Sequence, residues 1–118
     1  MANDFKRICT PSVGTSLAAI YTVPAGAGSA ALETIVIGIT LANKSSSGIN
    51  ASIFIDNEDG SNDVYIVKDA VIPAGASLEV MSGNKLVLMN DGSNADVLKA
   101  SCNATNSLDV TVSILEDV

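Results

Sequence analysis

The residues best suited to chemistry in this sequence are carboxylates, and they are most concentrated in one segment, Asp56-Asn57-Glu58-Asp59-Gly60-Ser61-Asn62-Asp63. So many oxygen ligands would suit calcium. The spacing argues against an EF-hand loop, which needs Gly at its sixth position and a closing Glu, because Gly60 stands fifth from Asp56. The segment is therefore either a calcium site or a solvated hairpin loop, and we favour the loop.

Catalytic groups are difficult to assemble from this composition. The chain has no His, which removes the usual general base near neutral pH and leaves Ser and Cys without an activating partner. The scattered carboxylates, such as Glu33 and Glu79, have no spacing that indicates a catalytic pair. We predict no catalytic residues, no cofactor and no metal site, and therefore a protein that is not an enzyme.

The formal net charge is −7, from 13 acidic and six basic residues. A surface of this charge repels phosphate backbones, so we predict no nucleic-acid partner. Two of the basic residues, Lys6 and Arg7, stand together close to Phe5 near the start of the sequence. This segment could dock on a neighbouring protein, or it could pair with the rest of the sheet as an ordinary terminus.

A length of 118 residues fits one domain, which we divide into an arm or edge strand over 1–16 and a main body over 17–118. No apolar run approaches the roughly 20 residues that span a bilayer, and the polar start lacks the order of a signal peptide, so we expect no membrane contact and synthesis in the host cytoplasm. Cys9 and Cys102 could form a disulfide, but free thiols are the favoured interpretation.

The elements that must position any site are β-strands, because apolar residues recur at every second position. Between 33 and 43 the alternation predicts one buried face from Ile35, Ile37, Ile39 and Leu41, and Gly38 on the other face indicates either a bulge or a close backbone approach. The same period of two recurs in three later strands, whose predicted buried faces are Ile49, Ala51, Ile53 and Ile55; Leu98, Ala100 and Cys102; and Leu108, Val110, Val112 and Ile114.

Turn residues divide these strands. We predict hairpins with loops at 44–48, at 56–63 and at 82–84. Two further segments, at 24–26 and 73–75, have the order Pro-Ala-Gly, which indicates either two related halves or simply a common corner of β proteins.

About eight short strands with regular turns and no helical periodicity predict an all-β fold, an antiparallel two-sheet β-sandwich of the jelly-roll or immunoglobulin-like kind. A closed barrel is the alternative fold.

Four segments, 20–26, 37–43, 65–79 and 108–116, resemble small virion structural proteins of tailed bacteriophages, particularly marine and cyanobacterial phages. The resemblance covers about residue 17 to the end, and its motifs are strands and corners without catalytic residues. It implies an accessory virion protein that acts as a capsid decoration or cement protein on the outer capsid surface.

The resemblance also implies partners. These are the major capsid protein or other virion proteins, together with further copies of this chain in a homo-oligomer, of which a trimer is one form. The residues expected to face the capsid are Phe5, Lys6, Arg7 and Ile8. The alternative functions are a tail, neck or fibre component and a host-surface or carbohydrate adhesion domain, although sugar sites usually present more aromatic rings than this chain has.

Overall fold

The computed structural model describes residues 3–81 and 85–117, and every regular element in these ranges is a β-strand. The strands form two antiparallel sheets around one hydrophobic core, which confirms the predicted β-sandwich. No helix long and apolar enough to cross a membrane occurs within those ranges. The strands are β1 (Asn3–Val13), β2 (Ala18–Thr22), β3 (Leu32–Asn43), β4 (Ile49–Asp56), β5 (Val64–Ile72), β6 (Ser77–Glu79), β7 (Leu86–Asn90), β8 (Val97–Cys102) and β9 (Leu108–Asp117).

The strands pair in a nested order. The strand β1 pairs with β9, β2 with β8, β3 with both β6 and β7, and β4 with β5. The contacts of β9 with β3 and of β8 with β4 join these pairs into a five-stranded and a four-stranded sheet. The chain therefore resembles one long hairpin rolled into two layers, which is the order of a jelly roll and not that of an immunoglobulin domain.

The predicted hairpins are only partly confirmed. The loop at 56–63 does join two paired strands, β4 and β5. The hairpin at 44–48 is wrong, because β3 and β4 belong to different sheets and this turn crosses between them. Within the described residues β6 and β7 both pair with β3 and not with each other, and residues 82–84 lie outside the described ranges. Alternation shows which face a strand buries, but it does not show whether the next strand lies beside that strand or across the core.

The strand β3 changes its buried face at a bulge. The predicted bulge is present, because the register with β9 shifts between Val36 and Gly38. Its extra residue lets Val36 face the core before the bulge and Ile39 after it. Ile37 is consequently 40% exposed, whereas Ile39 is 0% exposed. The prediction of one continuous buried face is therefore wrong for Ile35 and Ile37.

The alternation predicted for β4, β8 and β9 is confirmed, since the three predicted apolar faces are buried. The core contains no aromatic ring among its fully buried side chains, in agreement with the composition. The largest of these are Ile39, Leu41, Ile49, Ile53, Ile72, Leu88, Leu98, Leu108, Ile114, Val23, Val36 and Val110.

Asn43 at the end of β3 organises the crossing turn. Its side-chain amide donates to the carbonyl oxygens of Ser47 at 2.8 Å, Ile72 at 3.0 Å and Pro73 at 3.2 Å. Its Oδ1 atom accepts from the backbone N–H of Ser45 at 2.9 Å. A single buried side chain thus satisfies the backbone groups of two neighbouring turns.

Both Pro-Ala-Gly segments lead the chain from the four-stranded to the five-stranded sheet. Their local geometry differs, however. Gly75 has a φ of 71°, whereas the positive φ values near the first segment fall on Gly28 and Ser29. Gly26 instead forms a bridge with Ala30. The two segments therefore share a place in the topology but not a turn conformation.

Candidate functional site

The strand β1 contains the four residues predicted to contact a partner. It lies at the edge of the five-stranded sheet, paired with β9. Alternation places Phe5 and Arg7 on the outer face, where both are exposed. Ile8 points inward and packs against the core, and Lys6 points inward to a buried carboxylate. Of the four residues, only Phe5 and Arg7 are thus presented on the outer face of the sheet.

The carboxylate that Lys6 meets belongs to Glu116, which is only 4% exposed. The Lys6 ammonium donates to Oε1 of Glu116 at 2.8 Å, and the Tyr21 hydroxyl donates to Oε2. The same hydroxyl lies 2.8 Å from Oγ1 of Thr34. Because these residues come from β1, β9, β2 and β3, the network ties both sheets together at one end of the sandwich.

The ionisation of this network follows from its contacts. Burial alone would raise the pKa of Glu116, but the hydrogen bonds from Lys6 and Tyr21 outweigh burial and hold it below its ordinary value. The hydrogen bond to Glu116 raises the pKa of Lys6. Burial first, and then the hydrogen bond to Glu116, raises the pKa of Tyr21. At neutral pH the group is an ion pair with a neutral phenol, which suits a structural contact better than proton transfer.

A row of apolar side chains crosses the outer face of the five-stranded sheet. Phe5 lies opposite Leu115, Leu115 opposite Ile35, and Ile35 opposite Val87. Phe5 and Val87 are among the most exposed large apolar side chains of the molecule. We call Phe5, Leu115, Ile35 and Val87 the outer apolar row. Directly opposite residues on one face of an antiparallel sheet lie close together, so the row is continuous.

The sequence alone did not identify three members of this row. Simple alternation from Ile39 places Ile35 in the core, because it does not include the change of face at the bulge of β3. Leu115 follows Thr111 and Ser113 on the solvent side of β9, and an apolar residue in that series is the signal that could have revealed it. Val87 depended on the pairing of β7 with β3, which alternation does not predict.

A cleft with a volume of about 420 Å³ lies beside Glu116. The loop between β2 and β3 lines most of it with small side chains. Among the described residues that line it, the carboxylate is that of Glu116, which already accepts from Lys6 and Tyr21. A carboxylate engaged in this way is not free to act as a general base on a bound molecule.

The acidic loop uses its carboxylates to organise its own backbone. Oδ1 of Asp59 accepts from the N–H of Ser61 at 2.8 Å, and Oδ1 of Asp63 accepts from the N–H of Asn57 at 2.7 Å. A hydrogen bond from the Asn62 side chain is the main cause of a lowered pKa at Asp59. Across residues 3–81 and 85–117, no group of three acidic or Cys side chains stands close enough together to hold a metal ion.

The two cysteines are free, as predicted. Cys9 is exposed on β1, and Cys102 is buried at the end of β8. The Cys102 thiol donates to the carbonyl oxygen of Ala104 at 3.0 Å. It therefore behaves as a small buried side chain.

No protein-family model matches this chain, and no curated protein matches it. Among solved structures, a protein of the disulfide-linked pili on Bacillus endospores is similar over 98% of this chain and 88% of its own, with 10% identity and a TM-score of 0.40. A protein of the T13 particle of infectious bursal disease virus is similar over 98% of this chain and 39% of its own, with 12% identity and a TM-score of 0.38.

A protein of the Gt strain of the same virus gives 12% identity over 96% of this chain and 39% of its own, with a TM-score of 0.24. The chain thus spans 39% of the length of each of the two virus proteins. At TM-scores of this size the likeness identifies neither a family nor a function. None of the three is a tailed-phage accessory protein, so that resemblance stays a prediction.

Proposed function

We propose that this chain is a non-enzymatic structural protein of a virus particle, a decoration or cement protein bound to the outer surface of the capsid. The observation that most supports the proposal is the outer apolar row. A contiguous apolar strip on the surface of a protein with a net charge of −7 is typical of a site that binds another protein. The sequence resemblance to phage virion proteins agrees with it.

The proposed binding mode uses the outer face of the five-stranded sheet. Phe5 and Val87 lie at the two ends of the row and would be covered by a neighbouring subunit, with Arg7, two residues from Phe5 on β1, as the cationic contact. Because such binding favours the assembled shell over its dissociated subunits, it raises the stability of the particle by linkage. The net charge of −7 suits a surface that faces away from packaged DNA.

The two alternative functions differ in their support. A tail, neck or fibre component would use the same sandwich, and its copy number in the particle separates it from a capsid protein.

A carbohydrate adhesion domain would need free aromatic faces. The exposed Tyr65 ring already contacts the Phe54 ring, with centroids 5.1 Å apart, and the Lys68 ammonium lies 5.2 Å from its centroid. We therefore favour protein binding over sugar binding.

The first experiment locates the protein in purified particles by quantitative mass spectrometry and electron cryomicroscopy. The proposal expects on the order of hundreds of copies on the outer capsid surface, as repeated symmetric binding requires. A handful of copies at the tail or neck would favour the alternative virion function. Saturable binding of the free protein to cells or glycans, without incorporation into particles, would contradict both virion functions.

The second experiment tests the face with a matched pair of variants. Val87 is 53% exposed on the outer apolar row, and Val64 is 52% exposed on the other sheet. Val87→Lys should lower occupancy on particles, whereas Val64→Lys should leave it unchanged. Equal occupancy of the two variants would refute the proposed face. Deleting residues 1–10 is a poorer test, because the deletion also removes the strand that covers β9.

A further inference from the structure

The outer edge of β1 has no strand beside it in the described part of the chain. We propose that this edge pairs with the β1 edge of a second copy of this chain, antiparallel and about a two-fold axis at Phe5. Such pairing would join two five-stranded sheets into one continuous sheet. Unpaired backbone N–H and C=O groups along an exposed edge are a template for strand addition.

The usable part of this edge has a defined length. The register between β1 and β9 is regular from Asn3 to Thr10 and shifts between Thr10 and Val13. Pro11 lacks an N–H, and the N–H of Ser12, which has a φ of 59°, donates to Oδ1 of Asp109 at 2.9 Å. Pairing with another strand is therefore confined to residues before Pro11.

The side chains of β1 are self-complementary in one register. With Phe5 opposite Phe5 of the second copy, Asp4 lies opposite Lys6, and Lys6 lies opposite Asp4. Each pairing brings the Asp4 carboxylate of one copy to the Lys6 ammonium of the other, which already meets Glu116 at 2.8 Å and its own Asp4 at 4.0 Å. Directly opposite charges of unlike sign stabilise a sheet. Phe5, which is 74% exposed in the single chain, would be covered by its counterpart on the outer face.

Neighbouring registers lack this property. An axis at Asp4, Lys6 or Arg7 places each of these charges opposite its own copy, which is destabilising. A shift by one residue pairs a core-facing side chain with a solvent-facing one, so the two sandwiches would fall on opposite sides of the joined sheet. The charge pattern thus selects a second copy of this chain, in one register, over an arbitrary extended peptide.

Self-pairing would also extend the proposed binding face. The outer apolar row ends at Phe5, so two copies joined at that residue present one row of eight strands instead of four. Only this extension of the binding face rests on the proposed function. Pairing of the edges is a property of the free protein and is measured without particles.

Disulfide trapping tests the register. Directly opposite Cα atoms in an antiparallel sheet lie about 4.5–5.5 Å apart, within the range of a disulfide. In a Cys9→Ser background, Phe5→Cys should form a covalent dimer under oxidised glutathione at least about 10-fold faster than Val71→Cys, because pairing raises the effective concentration. Val71 is the matched control, at 72% exposure on the edge strand of the other sheet. Equal rates, or faster trapping at Arg7→Cys, would overturn the proposal.

The unoxidised protein gives an independent result. Sedimentation velocity should show a concentration-dependent species of twice the 12.0 kDa chain mass. Asp4→Lys should shift the equilibrium from the dimer toward the single chain, because it places a lysine opposite Lys6 of the other copy. Glu79→Lys, on a different strand of the same sheet, should leave the equilibrium unchanged. A single 12.0 kDa species at every concentration would refute self-pairing even if the protein occupies particles. A dimer in solution that never binds particles would leave self-pairing intact and refute the proposed function.

Discussion

The bulge in β3 makes a quantitative prediction about two isoleucines on one strand. Ile39 is 0% exposed and Ile37 is 40% exposed, although they are two residues apart and simple alternation puts both in the core. Truncating a fully buried Ile to Ala costs about 2–5 kcal/mol, a large share of the roughly 5–15 kcal/mol of a typical domain. Ile37→Ala removes side-chain atoms that are already partly solvated and lie outside the core, so we expect a smaller loss of about 1 kcal/mol.

Equilibrium urea unfolding measures this difference. With a slope of about 1–3 kcal/mol/M, Ile39→Ala should lower the midpoint by about 0.7 M or more, and Ile37→Ala should shift it by a smaller amount. Val36→Ala supplies the converse test, because Val36 is buried although simple alternation places it on the other face. Equal midpoint losses at Ile37 and Ile39, or no loss at Val36, would refute the change of face.

Two further predictions concern a turn and the half-buried ion pair of Lys6 and Glu116. At Gly92, where φ is 99°, an added Cβ would clash with the carbonyl oxygen of Ser29, so Gly92→Ala should lower the free energy of unfolding by about 1–3 kcal/mol. Gly48→Ala, whose Cβ finds only one contact at 3.7 Å, is the control. Lys6 helps to hold the pKa of Glu116 below 4.5, so this contribution to stability is present above pH 4.5 and is lost as the pH falls through the lower folded pKa. The melting temperatures of the unaltered chain and of Lys6→Met should therefore converge on acidification, and a pH-independent difference would contradict this origin.

The candidate site was only partly accessible from the sequence. The basic and aromatic character of residues 5–8 drew attention to β1, but only its pairing with β9 separates an outer pair, Phe5 and Arg7, from an inner pair. The buried partner of Lys6 was not accessible, because Glu116 is 110 residues away in the chain. Glu116 continues the inward series of Val112 and Ile114, yet a carboxylate there looks like the polar end of a strand until β1 supplies its cation.

By itself the sequence determined the all-β class, the aliphatic core and the buried faces of β4, β8 and β9, because each depends on side-chain identity at every second position of one strand. Only the tertiary structure decided which strands lie side by side. The nested order, the crossing turn at 44–48 and the outer apolar row all depend on pairing between segments that are distant in the sequence. The free energy of such pairing depends on the residues of both strands, so the pattern of one strand does not determine it. A local pattern can show that a face is apolar, but the position of the opposite sheet determines whether that face is buried or left exposed for a neighbour.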